Sequence, residues 1–267
     1  AFEGYTIRLH GLVTRESTPI WQKRWTYAYG AEVLATNENS FGRPRVAFTD
    51  AYYIAGLIGQ LGYDRSNSLL DPTRGFRLLG RTNPEVQHRL GQTEYYARNI
   101  IEGSAYYPVG EQFVIAGRAR FGSIFGIDRD ELAPSRRLYA GGGGSVRGFG
   151  FQQLGPRTRI ANPDFDPNDP EEEDPATILV PIGGRGLAEF ALEGRYRFGN
   201  YGVVAFIDAG SLTERSYPSF EDMRFGVGIG GRVYTNFGPL RVDVATPLGR
   251  RDGESRVAFY ISIGQAF

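Results

Sequence analysis

The sequence predicts an all-β fold, a transmembrane antiparallel up-and-down β-barrel. Apolar and polar residues alternate with period two along most of the chain, which is typical of strands with two different faces. Sixteen Tyr and eighteen Phe favour strands, and 37 Gly disfavour long helices. The polar set is rich in Arg and carboxylates, and Lys23 is the single lysine. This composition suits a confined, wet lumen better than a freely solvated surface.

The alternation predicts eleven or twelve strands, many of them ten or more residues long. It runs through residues 5–14, 21–33, 46–65, 74–83, 93–107 and 111–125, and after a long loop through 186–198, 201–213, 222–235, 239–247 and 254–267. The segment "NSLLDPTRG" predicts a turn before residue 74 because it combines Asn, Asp-Pro and Gly. In the last segment, we expect Val257, Phe259, Ile261, Ile263 and Phe267 to lie on one apolar face.

Composition also excludes several classes of protein. Thirty basic and thirty acidic residues leave no net charge, which argues against a general nucleic-acid binder. The lack of cysteine excludes disulfides, thiolate metal sites and cysteine nucleophiles. The chain has no apolar run of the roughly 18 residues that a spanning helix needs. It also opens without the pattern of a signal peptide, so we expect a processed chain or an internal piece.

The usual chemical motifs are weak in this sequence. "GVGIGG" at 226–231 matches a dinucleotide-binding pattern, but strand alternation continues through it where that pattern needs a helix. We therefore expect a strand with small lumen-facing residues, which leaves room for something packed against it. His10 and His88 lack metal-ligand spacing, and the acidic, Pro-rich segment 162–175 lacks that of an EF-hand loop. We predict no metal, no cofactor and a solvated loop at 162–175.

The segment "LYAGGGGSVRGFGFQQLGP", residues 138–156, stands out from the alternating pattern. It is not a Walker loop, because Gly-Lys-Ser/Thr is missing, and a simple linker would not place Val and Phe beside an arginine. We expect a loop that packs back into a polar lumen, where Arg147 meets a carboxylate. Phe206 and Asp208 share parity on one predicted strand, so they share a face, and an aspartate there is expected to face the lumen.

The same residues resemble the Omp85 superfamily of outer-membrane proteins. "SVRGF" is similar to the V/I-R-G-F/Y core of the family's sixth loop, and "VVAFIDAG" at 203–210 is similar to its F-x-D-x-G motif. "GGRGLAEFALEGRYRF", "FGVGIGGRVYTNFGPLRVDVATPLG" and "FYISIGQAF" resemble the strand after that loop, the penultimate hairpin and the aromatic-terminated last strand. These motifs follow the family's order over residues 138–267, and "DPTRGFRL" resembles a turn-strand element further upstream.

The resemblance implies a bacterial outer-membrane barrel that inserts or translocates client proteins without a chemical active site. Family members have sixteen strands preceded by periplasmic POTRA domains, so we expect the C-terminal portion of a longer protein. Residues 1–267 would form one barrel domain, with 138–183 as a long lumenal or extracellular loop and no POTRA domain. The implied partners are the lipid bilayer, unfolded outer-membrane clients and periplasmic or inner-membrane subunits. The short spacing of the final strands is more similar to the TamA branch than to BamA.

The resemblance also implies roles for particular residues. The motif arginine, Arg147, is expected to reach into the barrel and meet Asp208 and Phe206. The expected loop lock comprises Val146, Arg147, Gly148, Phe149, Phe206, Asp208 and Gly210. The last strand, with Tyr260, Gly264 and Phe267, is the expected seam, where an unpaired strand edge meets the bilayer.

Two other functions stay open at this point. A passive outer-membrane diffusion channel would share the two strand faces but would need an open lumen. A barrel hydrolase would need a reactive serine, yet the sequence has no G-x-S-x-G motif.

Overall fold

The computed structural model describes residues 7–16, 24–41, 47–162, 165, 176–236 and 238–267. Tyr5, Trp21 and Lys23 of the predicted strands lie outside this range, as do residues 163–164 and 166–175 of the acidic segment. The strands are β1 (Ile7–Glu16), β2 (Trp25–Phe41), β3 (Ala47–Asp64), β4 (Gly75–Arg89), β5 (Gln92–Val109), β6 (Phe113–Phe125), β7 (Arg157–Ala161), β8 (Thr177–Pro181), β9 (Gly186–Phe198), β10 (Tyr201–Thr213), β11 (Arg224–Thr235), β12 (Gly238–Leu248) and β13 (Ala258–Ile263).

Eleven of these strands form one antiparallel, up-and-down sheet in the order β1-β2-β3-β4-β5-β6-β9-β10-β11-β12-β13. The predicted all-β, antiparallel, up-and-down fold and its eleven or twelve strands are confirmed. Within the described residues the sheet is open, with β1 and β13 as its two edges. Closure into a sixteen-stranded barrel therefore stays a prediction. None of the helical segments in the described part of the chain is long and apolar enough to span a membrane.

The two faces of the sheet differ sharply in chemistry. On the outer face, apolar side chains on alternate residues are exposed, as with Leu57 and Leu61 on β3 and Ile261 on β13. On the other side, eight arginines and eight carboxylates of the described residues are buried. They are Arg118, Arg136, Arg137, Arg147, Arg195, Arg224, Arg232, Arg241, Glu38, Asp50, Glu85, Glu189, Glu193, Asp208, Asp243 and Glu254. Because charges are costly to bury alone, most of them lie in ion pairs, whereas the Arg137 guanidinium donates to the backbone carbonyls of Leu132 and Ile182.

Strand β4 is longer than predicted. The predicted end at residue 83 is wrong because Pro84 stays within the strand, which continues to Arg89. Pro84 pairs with Ala97 on β5, whereas the register with β3 is interrupted between Gly56 and Gly59. A proline has no backbone N–H to donate to a neighbouring strand. The break in the β3–β4 register accommodates Pro84 within the sheet.

The last strand is shorter than predicted. The prediction of a strand over 254–267 is wrong because β13 covers only Ala258–Ile263. Gly264 has a φ of 91°, in the left-handed region that favours glycine, and there the chain turns off the sheet. The Phe267 ring consequently lies on the inner side, stacked against Tyr106 at 6.5 Å with the Arg195 guanidinium 5.3 Å away. Its predicted place on the outer apolar face is also wrong.

The connection between β6 and β9, which the structure describes over 126–162, 165 and 176–185, is called the plug loop below, and its residues 131–154 pack against the inner face. It begins before the predicted residue 138 and contains a short 3-10 turn (Pro134–Arg136) and the separate β7–β8 hairpin. The five-residue strands of that hairpin were too short to predict from alternation. Residues of the plug loop also pack with strand residues in an apolar cluster that includes Leu138, Val146, Phe149 and Leu212.

Candidate functional site

Arg147 lies at the centre of the inner face and is only 1 % exposed. Its Nε lies 2.7 Å from Asp208 Oδ2 and its Nη2 lies 2.8 Å from Asp208 Oδ1, a bidentate pair. The backbone N–H of Arg147 donates to the same carboxylate at 2.9 Å. Its guanidinium carbon stands 3.5 Å from the centre of the Phe206 ring. The structure thus brings together the arginine, aspartate and phenylalanine of the predicted loop lock.

Two further carboxylates on Arg147 were not predicted. Nη1 lies 2.6 Å from Glu193 Oε1 on β9 and 3.0 Å from Asp243 Oδ2 on β12. Glu193 and Asp243 are fully buried. Arg147 with Glu193, Asp208, Asp243 and Phe206 is called the arginine lock below. Strand parity could have placed both carboxylates on the inner face, but only the register shows that they reach the same arginine.

Each of these two carboxylates also contacts at least one further arginine. Arg195 contacts Glu193 at 2.7 Å, and Arg232 contacts Asp243 at 2.5 Å. Arg241 Nε also lies 3.6 Å from Asp243 Oδ2, so four arginines face three carboxylates in a region shielded from water. The cluster stabilises the fold only when all of its members are present. Removing one member leaves a buried charge that is less well paired, which costs stability.

The motif residues around Arg147 fit closely against glycines of the sheet. A side chain at Gly226 would place its Cβ 1.8 Å from the Arg147 carbonyl oxygen. A Cβ at Gly210 would lie 2.6 Å from Val146 Cγ2, so this motif glycine makes room for the motif valine. Gly148 has a φ of 99°, and Phe149 lies buried under the Arg224 guanidinium. Of the small lumen-facing residues predicted on β11, Gly226 therefore makes room for the plug loop, whereas Gly228 and Gly230 make room for Phe206 and Asp243 of the sheet.

The seam residues join this site in part. The Tyr260 hydroxyl accepts a hydrogen bond from the Gly148 N–H at 3.0 Å and donates one to the Phe149 carbonyl at 2.8 Å. Gly264 and Phe267 lie apart from the arginine lock. Gly264 N–H bonds the Pro239 carbonyl, and the Phe267 carbonyl accepts from Arg195. His88, considered above as a metal ligand, is exposed near the end of β4, where its Nδ1 lies 2.9 Å from the hydroxyl of Thr93 on β5.

A second anchor of the plug loop lies near the opposite edge of the sheet. Ser135 donates from its backbone N–H and its hydroxyl to the Glu38 carboxylate on β2, at 2.8 and 2.6 Å. Arg136 pairs with Glu32, also on β2, at 3.2 Å. Gln87 on β4 bonds the backbone at Glu131 and Ala133. The predicted loop boundary at residue 138 excluded this anchor.

A third cluster lies at the rim of the sheet, where β11 begins with Arg224. Glu254 accepts two hydrogen bonds from Arg224, at 3.1 and 3.0 Å, and one from Arg157 on β7 at 3.0 Å. The backbone N–H of Arg251 donates to it at 2.8 Å. Burial raises the pKa of Glu254, but the bonds from Arg224 and Arg251 outweigh burial and hold that pKa below its usual range.

The fold and this site define an antiparallel sheet of the outer-membrane barrel type, with an inward-packed loop held by buried ion pairs. Residues 2–267 match the sequence profile of the Omp85 superfamily domain. The chain belongs to the Omp85 superfamily, whose barrels reside in the bacterial outer membrane.

Known proteins similar to this chain include two BamA proteins and CdiB. The chain is 27% identical over 211 residues to the outer membrane protein assembly factor BamA of Nitratidesulfovibrio vulgaris, covering 76% of this chain and 24% of that protein. Its fold resembles the crystal structure of BamA from Haemophilus ducreyi lacking POTRA domains 1–3, with a TM-score of 0.68 and 18% identity, covering 97% of this chain and 54% of that one. CdiB from Acinetobacter baumannii is also similar, with a TM-score of 0.43 and 13% identity, covering 97% of this chain and 51% of that one.

The chain thus spans about a quarter of the length of the curated relative and about half of the solved BamA chain. Placement nearer to the TamA branch than to BamA stays a prediction. In the part of the chain that the structure describes, no group of His, Cys, Asp and Glu side chains is arranged to hold a metal ion.

We expect Arg147→Ala to destabilise the fold by about 3–5 kcal/mol, because it leaves the three carboxylates with incomplete pairing. The loop around residues 138–156 should become accessible to protease. Urea unfolding and limited proteolysis would measure the two effects. Arg251→Ala is the matched control, since its exposed pair with Asp222 should contribute at most about 1 kcal/mol. A loop that stays as protected as in the unmodified protein would contradict the role of Arg147.

Gly226→Ala should displace the plug loop without changing any charge. The new methyl group would overlap the Arg147 carbonyl oxygen, and forced overpacking of this kind costs about 1–3 kcal/mol or more. Gly231→Ala is the matched control on the same strand, because a Cβ there meets nothing within 4 Å. Limited proteolysis should cut the loop in the first variant and spare it in the second. Equal protection of both would show that the contact does not hold the loop.

The rim cluster should make stability depend on pH. Since the pKa of Glu254 is lowered in the folded state, its contribution is fully present above the unfolded value of about 4.3 and is lost as pH falls through the folded value. Urea unfolding through the acid range should therefore show a smaller loss for Glu254→Gln than for the unmodified protein. Glu221→Gln, at an exposed neighbouring carboxylate, should leave the curve unchanged. Identical curves for all three proteins would argue against the lowered pKa.

Proposed function

We propose that this chain is the barrel portion of an outer-membrane protein assembly or translocation factor, which acts on client proteins without a chemical active site. In this mechanism, a client strand pairs with the free edge of β13 and is handed over to the bilayer. Unpaired backbone groups are costly in hydrocarbon, so a weakly held edge offers a template that an incoming strand will seek. Membership of the Omp85 superfamily and similarity to a protein named as an outer membrane protein assembly factor support this function.

The observation that carries the proposal is the weak attachment of β13. Only six residues of β13 pair with β12, from Ala258 to Ile263, whereas eleven positions pair between β11 and β12. Phe259 and Ile261 point to the exposed apolar face, 71 % and 82 % exposed. A short strand with an apolar outer face is suited to exchange partners at the level of the lipid.

The packed plug loop weighs against a diffusion channel as the main function. It lies on the inner face and is held by the arginine lock and by the anchor at Glu38. Steady conduction would need this loop to leave the lumen. The proposed partners are therefore unfolded outer-membrane proteins and the bilayer, with POTRA domains and periplasmic or inner-membrane subunits as further proposed partners of the whole protein.

A photo-crosslinking amino acid at Phe259 should capture a urea-unfolded outer-membrane barrel protein during its assembly into lipid vesicles. The matched control is the same group at Ile207, which faces the same side on β10 but lies between two paired neighbours. We expect a cross-link at 259 and none at 207. Equal cross-linking at both positions would indicate unspecific contact. A large, steady single-channel current together with no cross-link at 259 would favour the diffusion channel.

A further inference from the structure

Tyr260 is the side chain of β13 that contacts the loop motif directly. Its neighbours Phe259 and Ile261 face outward, whereas Tyr260 is half-buried on the inner face. The hydroxyl bonds the Gly148 N–H and the Phe149 carbonyl, so it brackets two residues of the VRGF motif. The ring lies against Gly143, where a Cβ would stand 3.0 Å from Tyr260 Cδ1.

Tyr260 also lies beside the arginine lock in the sheet register. Asp243 on β12 is paired with Tyr260 across the β12–β13 ladder, and the same Asp243 holds Arg147 Nη1. The contact path from Arg147 to the edge strand therefore has two short branches. One passes through the Arg147–Gly148–Phe149 backbone and the tyrosine hydroxyl, and the other passes through Asp243 and the ladder.

The two branches differ in whether they survive when the plug loop withdraws from the sheet. The ladder to β12 remains when the loop withdraws, whereas both hydrogen bonds of the hydroxyl are lost. Only six residues of β13 pair with β12, so two partly buried hydrogen bonds are a large part of the attachment of this strand.

We infer that Tyr260 couples the arginine lock to the edge strand, so that release of the VRGF segment also loosens residues 258–263. Tyr260 is thus a positioning residue: it does not contact a client but sets how readily the client's strand finds a free edge. This inference rests on the proposed function of β13. Coupling between two sites is reciprocal, so a change at either end should be felt at the other.

The chain beyond Gly264 provides an internal reference. The Gln265 N–H donates to the Leu70 carbonyl, and the Gln265 side chain bonds Asp71. Neither contact involves the plug loop. If Tyr260 acts as inferred, the strand should loosen while this tail keeps its contacts.

Amide hydrogen exchange of the full chain in lipid nanodiscs, without client, tests the coupling. Tyr260→Phe keeps the ring and removes only the hydroxyl. We expect exchange at residues 258–263 and at 146–149 to become about fivefold faster or more, with Gln265 unchanged. Tyr196→Phe is the matched control, because it removes a tyrosine hydroxyl bond to Gln112 that is remote from the loop. Faster exchange in the loop alone, or in β13 alone, would overturn the inference.

A double-variant experiment separates coupling from general loosening. Asp208→Asn weakens the arginine lock at β10, which does not touch β13, and should also speed exchange at 258–263. In the Tyr260→Phe background, Asp208→Asn should add little at those residues. Additive effects would overturn the inference.

Client assembly measured on the same variants distinguishes the two proposals. If exchange follows the inferred pattern but Tyr260→Phe leaves assembly and cross-linking at 259 unchanged, the coupling stands and the proposed function of the edge fails. If cross-linking at 259 occurs but the exchange pattern is absent, the proposed function stands and the coupling fails.

Discussion

The buried positive charge of Arg147 constrains how β9, β10, β12 and the plug loop are arranged. Arg147 is placed on the inner face by a loop, away from water, and a charge there is tolerated only with close and complete pairing. The partners come from β9, β10 and β12, so these strands must keep one register and one face toward the loop. A slip of one residue on any of them would turn its carboxylate to the outer apolar side. The requirement to pair Arg147 therefore fixes the register of these three strands, and the strands in turn hold Arg147 in place.

The sequence predicted those features of the fold that depend on the alternation of apolar and polar residues and on composition. Alternation predicted the sheet strands, and the parity of Phe206 and Asp208 indicated the inner face for both. The prediction missed Glu193 and Asp243, because many carboxylates share that parity and only long-range register decides which reach Arg147. Small residues at Gly226 and Gly228 were predicted to leave room, but their occupant could be seen only in the packed structure.

Local chemistry overrode the pattern at the ends of elements. The predicted strand ended at residue 83, yet pairing with the strands on both sides keeps β4 extended through Pro84. At Gly264 the alternation continues in the sequence while the backbone turns away, because the tail gains contacts with Leu70 and Arg195. Contacts between residues far apart in the sequence cannot be predicted from the alternation of apolar and polar residues. The anchor at Ser135 and Arg136 escaped prediction for the same reason.

The plug loop contacts the sheet near both of its edges, but with unequal strength. At β2 and at the central strands it is held by buried ion pairs, whose disruption costs several kcal/mol (about 3–5). At β13 it is held by two hydrogen bonds of one hydroxyl, each with a net contribution of about 1 kcal/mol. Thermal motion or a competing strand would therefore part β13 from the loop at lower cost than it would break the arginine lock, which is loosened but not broken when β13 leaves. The loop can remain a plug while the edge opens, and this order of release follows from the chemistry of the two contacts.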